Sequence, residues 1–271
     1  MSTTHRPRIL LTGDDGYQSH GTRLLAHFLR EGFDLTIAGT VAQQSGVGGK
    51  VSIATGFNWG RAEVDGIPAF WVEGTPVDTI ELLANFEIEP FDVVISGINW
   101  GANLGATLAN SGTVNAAIGS LVRQLTKQAI AVSWDLPPEF YTMHHDKEHS
   151  IVEYLEYPGK VIDRLLRQCI KEKLWGAQFL NINLPQKPTT QVKVTRLIED
   201  VRQVYDQPFK HSGESGHFSY ADSGRVFSKT LDQVYDVRAL TDGYISISPC
   251  LVNLVHEEAF QKLQKARFQL Q

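Results

Sequence analysis

Short apolar runs alternate with helical spacings through the first two-thirds of the chain. Arg8–Thr12 (RILLT), Phe33–Gly39 (FDLTIAG), Asp92–Ser96 (DVVIS), Ala129–Ser133 (AIAVS) and Gln178–Asn183 (QFLNIN) each have the length and content of a buried strand. Between them, Leu24, Leu25, Phe28 and Leu29 recur at helical spacing within His20–Glu31, and further helices are expected at about Val77–Phe86, Ser111–Leu125 and Ser150–Leu174. Strands alternating with helices at this spacing need right-handed crossovers, which predicts an α/β fold: a doubly wound, mostly parallel sheet in three layers. Val51–Val72 interrupts the alternation and reads as an inserted hairpin turning at Asn58-Trp59-Gly60.

The last third follows another pattern. Val192–Tyr205 and Lys229–Val234 alternate like antiparallel strands, Gly243–Ser248 (GYISIS) alternates cleanly, and Val255–Phe268 has the spacing of an amphipathic helix. Pro208–Gly224, rich in Gly, Ser and His, reads as a mobile loop. Residues 1–187 are therefore expected to form the core. Residues 188–271 are expected to form an antiparallel and helical arm for subunit contact rather than an independent domain.

Composition narrows the function. With 271 residues, 42% hydrophobic and 20% charged, the chain is neither disordered nor fibrous. A net charge of −5 without a Lys/Arg run argues against a long nucleic acid as partner. Cys169 and Cys250 stand far apart with no CxxC, which argues against a thiolate metal site or disulfide scaffold. With no apolar signal region at the N-terminus, the expected compartment is the cytoplasm. Val93–Val122 holds no Asp, Glu, Lys or Arg and is long enough to span a bilayer. Asn99, Asn103, Asn110 and Asn115 and the glycines among them would make that span very costly, so no membrane is expected. A polar, uncharged, glycine-rich stretch suits a small anion instead.

Familiar nucleotide motifs do not fit. Thr12-Gly13-Asp14-Asp15-Gly16 is no Gly-x-Gly-x-x-Gly turn, Val51 spoils a phosphate loop at Gly46–Lys50, and no Gly-x-Ser-x-Gly occurs. His144-His145, flanked by Asp146, Lys147 and Glu148, reads as solvated surface. Three loops remain after the carboxyl ends of three strands: Asp14-Asp15-Gly16, Gln44-Ser45-Gly46, and Ser96 through Gly105 with Asn99 and Asn103. Any one of them alone is commonly just a turn or a helix cap. Together they meet where open parallel sheets bind ligands. Carboxylates, a hydroxyl and an amide suit one hard divalent cation, Mg²⁺ or Mn²⁺. Asn110-Ser111-Gly112-Thr113-Val114 opens the next helix, whose free N–H groups and hydroxyls can hold an anion. No Lys or Arg lies in this loop, so the pattern predicts metal dependence.

Taken in order, Asp14-Asp15-Gly16, Gln44-Ser45-Gly46, Gly74-Thr75-Pro76-Val77-Asp78, Ser96-Gly97-Ile98-Asn99-x-Gly101-x-Asn103-Leu104-Gly105 and Ser111-Gly112-Thr113-Val114 resemble the SurE family. The likeness runs on through Asn181–Pro185 and Asp242–Pro249. It implies a Rossmann-like core and a metal-dependent phosphatase acting on nucleoside monophosphates, a 5′/3′-nucleotidase. It implies that Asp14, Asp15, Ser45 and Asn99 ligate the metal and that Asn103, Ser111, Gly112 and Thr113 hold the phosphate. It also implies a carboxyl-terminal arm exchanged within a homodimer, with homotetramers possible. Asp14, Asp15, Asn99 and Ser111 would be the catalytic set, with metal-assisted attack of water on a small phosphomonoester. Trp100, Trp59 and Tyr17 are candidate stacking faces for a base. The chain departs from the family at Gly13, usually Asn, at Asn110, commonly Tyr, and over Thr40–Gln43. Without an amide at position 13 to orient the carboxylates, metal affinity is expected to fall. Short polyphosphate, another small phosphomonoester, or a non-catalytic nucleotide-binding role stand as alternatives.

Overall fold

The computed structural model describes residues 6–86, 89–141, 143–145, 148–200 and 231–266. Its strands and helices, in chain order, are β1 (Arg8–Thr12), α1 (His20–Leu29), β2 (Asp34–Thr40), β3 (Trp59–Val64), β4 (Ile67–Val72), α2 (Pro76–Asn85), β5 (Val93–Trp100) and α3 (Gly112–Val122). There follow β6 (Ala129–Trp134), α4 (Lys160–Lys171), β7 (Phe179–Leu184), β8 (Val192–Val194), α5 (Asp236–Thr241), β9 (Ile245–Cys250) and α6 (Glu257–Leu263). One sheet joins all the strands in the order β3-β4-β2-β1-β5-β6-β7-β9-β8. The strands from β4 to β7 run parallel, while β3 and β9 lie antiparallel to β4 and β7.

Both faces of the sheet are covered, which is why its strands read as continuous apolar runs. Ile9 and Leu11 of β1 pack with Leu24 and Leu25 of α1 and Ile162 and Leu166 of α4. Leu10, pointing the other way, packs with Ile80 and Leu83 of α2 and Val114 and Ala117 of α3. The winding reverses between β1 and β5, and a crevice opens there at the carboxyl ends of the strands. The uncharged stretch Val93–Val122 becomes β5, a 3-10 turn over Gly105–Asn110, and α3. No helix among the described residues is long and apolar enough to cross a membrane. Cys169 and Cys250 are not bonded to each other.

Several expectations are corrected. The inserted hairpin turns at Asp65-Gly66, whose φ values are 49° and 81°, and Trp59 and Gly60 belong to β3. A two-residue turn with both φ positive matches the twist of a hairpin, and Asp-Gly supplies it. The helix expected over Ser150–Leu174 is a regular α-helix only from Lys160 to Lys171. Pro158 forces Tyr157 out to an extended φ of −145° and ψ of 128° and breaks the run before it. β8 pairs parallel with β9 rather than forming an antiparallel hairpin. Of Lys229–Val234, the described residues Leu231–Val234 form a turn, and the unanticipated helix α5 follows. Pro208–Gly224 lies outside the described residues.

Candidate active site

The strand ends at the reversal set the geometry. Asp14 and Asp15 follow β1, and the Gln44 N–H donates to Asp14 O at 2.8 Å, tying the loop after β2 to the loop after β1. β5 runs on through a register shift between Ser96 and Asn99, so Asn99 sits on the strand's end and not in a loop. Asp14, Ser45, Gly46, Asn99, Trp100, Asn103, Asn110, Ser111 and Tyr141 line one open cleft of about 200 Å³. Asp15 lies behind it, with Asp14 and Asn99 on a narrow crevice beside Ser19 and Ile98.

Ser111 is the N-cap of α3, its hydroxyl accepting from Val114 N–H at 3.1 Å, which leaves the Oγ proton for a ligand. Gly112 lets the helix start touch the carboxylate: a Cβ there would lie 2.8 Å from Asp14 Cβ and 2.9 Å from Asp14 Oδ2. Thr113 is fully buried, and its hydroxyl donates to Asp14 Oδ1. The Thr113 hydroxyl is thus committed to the carboxylate instead of facing the cleft, where a phosphate-holding residue was expected.

Asp14 and Asp15 are 4% and 5% exposed. Burial pushes the Asp14 carboxyl up to about 6, partly offset by the Thr113 hydrogen bonds. Burial and then the neighbouring Asp14 charge push Asp15 well above the usual carboxylate range, while Trp100 N–H and Gln43 pull it back. Among the described residues, the basic atom paired with either carboxylate is His145 Nε2, 4.0 Å from Asp15 Oδ2. Two buried carboxylates without a Lys or Arg partner among the described residues fit a divalent cation, which would relieve both the desolvation and the mutual repulsion. Ser45 Oγ donates to Tyr141 O at 2.9 Å and Asn99 Nδ2 to Gly101 O at 2.6 Å, so each keeps oxygen lone pairs for a cation. No group of three or more His, Cys, Asp or Glu among the described residues has metal-binding geometry. The donors expected from the sequence, two carboxylates, a hydroxyl and an amide, have the chemistry of a hard-ion site.

A supporting layer holds these groups, and most of it escaped sequence reading. Asn103 is clamped to β7: its N–H donates to Asn183 Oδ1 at 2.9 Å, and its carbonyl accepts from Asn181 and Asn183, each at 2.9 Å. Its own amide donates to Ser133 Oγ at 2.8 Å. Gly105 N–H donates to the buried Asp236 of α5 at 2.7 Å. The amide missing at Gly13 is supplied from elsewhere, because Gln43 Nε2 donates to Asp15 Oδ1 at 3.3 Å. Trp100 is 3% exposed and Trp59 packs edge-on against Phe86, so neither offers a stacking face to the cleft. Tyr17 and Trp59 do not line the cleft, whereas Tyr141 does. His144 is exposed as expected, but the His145 side chain is only 2% exposed and is packed among His20, Trp100 and Asp15. Burial and the surrounding histidines push its pKa down to about 4, leaving a neutral ring.

Comparisons with known proteins bear on the family and the fold. The model of the family described as Survival protein SurE matches residues 9–205. A 5′-nucleotidase SurE from Maridesulfovibrio salexigens is 31% identical over 264 residues, covering 95% of this chain and 98% of the relative. A 5′-nucleotidase SurE from Nitratidesulfovibrio vulgaris is 30% identical, covering 94% of this chain and 98% of that one. Among solved structures, the SurE protein from Aquifex aeolicus superposes with a TM-score of 0.71 at 24% identity, over 95% of this chain and 98% of that one.

Proposed function

This chain belongs to the SurE family, and from that premise we propose that it hydrolyses nucleoside 5′-monophosphates to nucleoside and phosphate, with a divalent cation. The observation that carries the reading is the buried Asp14–Asp15 pair, without a Lys or Arg partner among the described residues, with Asp14 on the same cleft as Ser111, the cap of α3. Asp14, Asp15, Ser45 and Asn99 would hold Mg²⁺ or Mn²⁺, which when bound polarises a phosphoryl oxygen and makes a water more acidic. Ser111 Oγ and the Gly112 N–H at the head of α3 bind equatorial phosphoryl oxygens and stabilise the charge that builds on them. Asn103, clamped to β7, orients the ester. Thr113 donates to Asp14 Oδ1, which leaves Asp14 Oδ2 as the oxygen to ligate the cation.

Phosphate release from a panel of 5′- and 3′-nucleoside monophosphates, short polyphosphate and sugar phosphates tests this reading. Release is expected with Mg²⁺ or Mn²⁺, fastest from 5′-nucleotides, lost in EDTA and restored by excess cation. Folded protein that binds nucleotide with metal yet releases no phosphate would instead be a binding module.

Tyr141 supplies the aromatic face that Trp100 and Trp59 do not. Its ring lies on Gly101, where a Cβ would come within 2.9 Å of ring carbons, and its carbonyl is held by Ser45. We read it as the platform for the base. Base stacking on an aromatic is worth about 1–3 kcal/mol, so Tyr141→Ala should raise KM for nucleotides roughly 5–150-fold. KM for glycerol phosphate should not move, and Tyr141→Phe should behave as the parent. An equal loss on both substrates would place Tyr141 in structural support. The exposed apolar side chains Leu251, Leu254, Phe260 and Leu263 support reading the last segment as a contact between subunits of a homodimer.

A further inference from the structure

The segment after β6 returns across the strand ends and brings His145 to the back of the carboxylate pair. The ring stands edge-on to Trp100, with centroids 4.9 Å apart and planes at 73°. Trp100 in turn stacks on His20 at 5.0 Å and 26°, so one indole fixes both imidazoles. His145 Nδ1 faces two groups of His20, the backbone N–H at 3.4 Å and the ring Nδ1 at 2.9 Å. A ring nitrogen that accepts the backbone N–H carries no proton, so the neutral His145 ring is protonated on Nε2, and His20 donates from its own Nδ1. Among the described residues the buried His145 Nε2 has no hydrogen-bond partner, and it lies 4.0 Å from Asp15 Oδ2. That same oxygen accepts the Trp100 backbone N–H at 2.9 Å, while Oδ1 accepts from Gln43.

We propose that His145 is a positioning residue for Asp15, donating its Nε2–H to Asp15 Oδ2, with His20 setting the tautomer that makes this possible. The inference rests on the reading of Asp14 and Asp15 as cation ligands. Closing the gap to a hydrogen bond takes a shift of about 1 Å. With Gln43 on one oxygen and Trp100 and His145 on the other, the Asp15 carboxylate is held in one orientation toward the cation. His145 does not touch the cleft, so it acts through Asp15 and not on the substrate.

Mn²⁺ binding to the whole protein, read by electron paramagnetic resonance, tests this without turnover. Outer hydrogen bonds to metal ligands are worth about 10–100-fold in affinity, so His145→Ala should weaken Mn²⁺ binding by that factor. His145→Gln, whose amide can still donate toward Asp15, should recover most of it. In the metal-free parent, nitrogen NMR should find His145 protonated on Nε2. Parent-like Mn²⁺ binding by His145→Ala, or a ring protonated on Nδ1, overturns the proposal. If the alanine variant does not fold, the glutamine variant and the tautomer decide, because a Gln variant with no better than trace binding contradicts donation to Asp15. Asp14→Asn in the same assay separates the two failures. If it loses Mn²⁺ while His145→Ala does not, the cation site stands and the positioning role falls. If it keeps Mn²⁺, the reading of the carboxylate pair itself is wrong.

Discussion

Asp14→Asn is expected to abolish phosphate release while making the metal-free protein more heat-stable at pH 8. The two effects share one cause. Asp14 is 4% exposed and its carboxyl is pushed up from 3.8 to about 6, because the fold removes it from water. A carboxyl whose folded pKa lies above its unfolded value binds a proton more tightly in the folded chain. Metal-free stability therefore rises as pH falls from above 6 toward 3.8 and is lowest when Asp14 is ionised. Asparagine removes the charge but keeps an oxygen for the Thr113 hydroxyl, so the variant escapes that penalty. In EDTA its melting temperature should exceed the parent's at pH 8, and the two should converge near pH 4, a range set by the Asp14 shift.

Cation binding supplies the opposite sign. Mn²⁺ should raise the parent's melting temperature at pH 8 and leave the variant's nearly unchanged, since binding to the folded state alone is what stabilises. Lewis-acid help is worth several kcal/mol, so phosphate release should fall by about 10³-fold or more. A calorimetric scan with and without Mn²⁺, beside a phosphate assay, reads both. Undiminished turnover in Asp14→Asn would remove Asp14 from the catalytic set.

Gly21→Ala carries the largest expected loss of stability. Gly21 lies in the first turn of α1, where that helix presses on β5 beside Asn99. A Cβ there would sit 1.9 Å from the Ile98 carbonyl oxygen and 2.8 Å from Ile98 N. Both are backbone atoms, so no side chain can swing aside and either the helix or the strand must move. Overpacking against side chains costs about 1–3 kcal/mol, and against fixed backbone the value should be ~3 kcal/mol or more. For a chain of this length that is a fall of roughly 10 °C in melting temperature. Because the displaced strand carries Asn99, turnover should drop at temperatures where the variant is still folded. Gly13→Ala is the control: its Cβ would meet Gly97 N at 3.4 Å, an ordinary contact, and the variant should melt close to the parent. A Gly21→Ala variant as stable as that control would mean that α1 and β5 are not packed as described.

Much of this protein is legible along the chain because its determinants are local. The runs RILLT, AIAVS and QFLNIN become β1, β6 and β7 within a residue or two, since a strand covered on both faces needs only a short apolar run. Thr75-Pro76-Val77-Asp78 marks the start of α2 because cap, proline and returning carboxylate act within one turn, and all three are present. Asp14, Ser45, Asn99 and Ser111 are legible for a related reason: two follow strands, one ends a strand and one caps the next helix, at ends the doubly wound topology brings to the same crevice.

The supporting layer could not be read this way. His20 and His145 are 125 residues apart, Gln43 and Tyr141 98, and Gly105 and Asp236 131. No periodicity or cap links them, and flanking charges made His145 look like surface. Local sequence sets which segments become strands and helices, and which polar groups stand at their ends. The path of the segment after β6 is decided by packing across the whole sheet, and with it which imidazole lies behind Asp15, which aromatic faces the cleft, and that Thr113 serves a carboxylate. Free energy from burial and hydrogen bonding between distant segments is paid out only when the fold closes, so it leaves no mark on either segment alone.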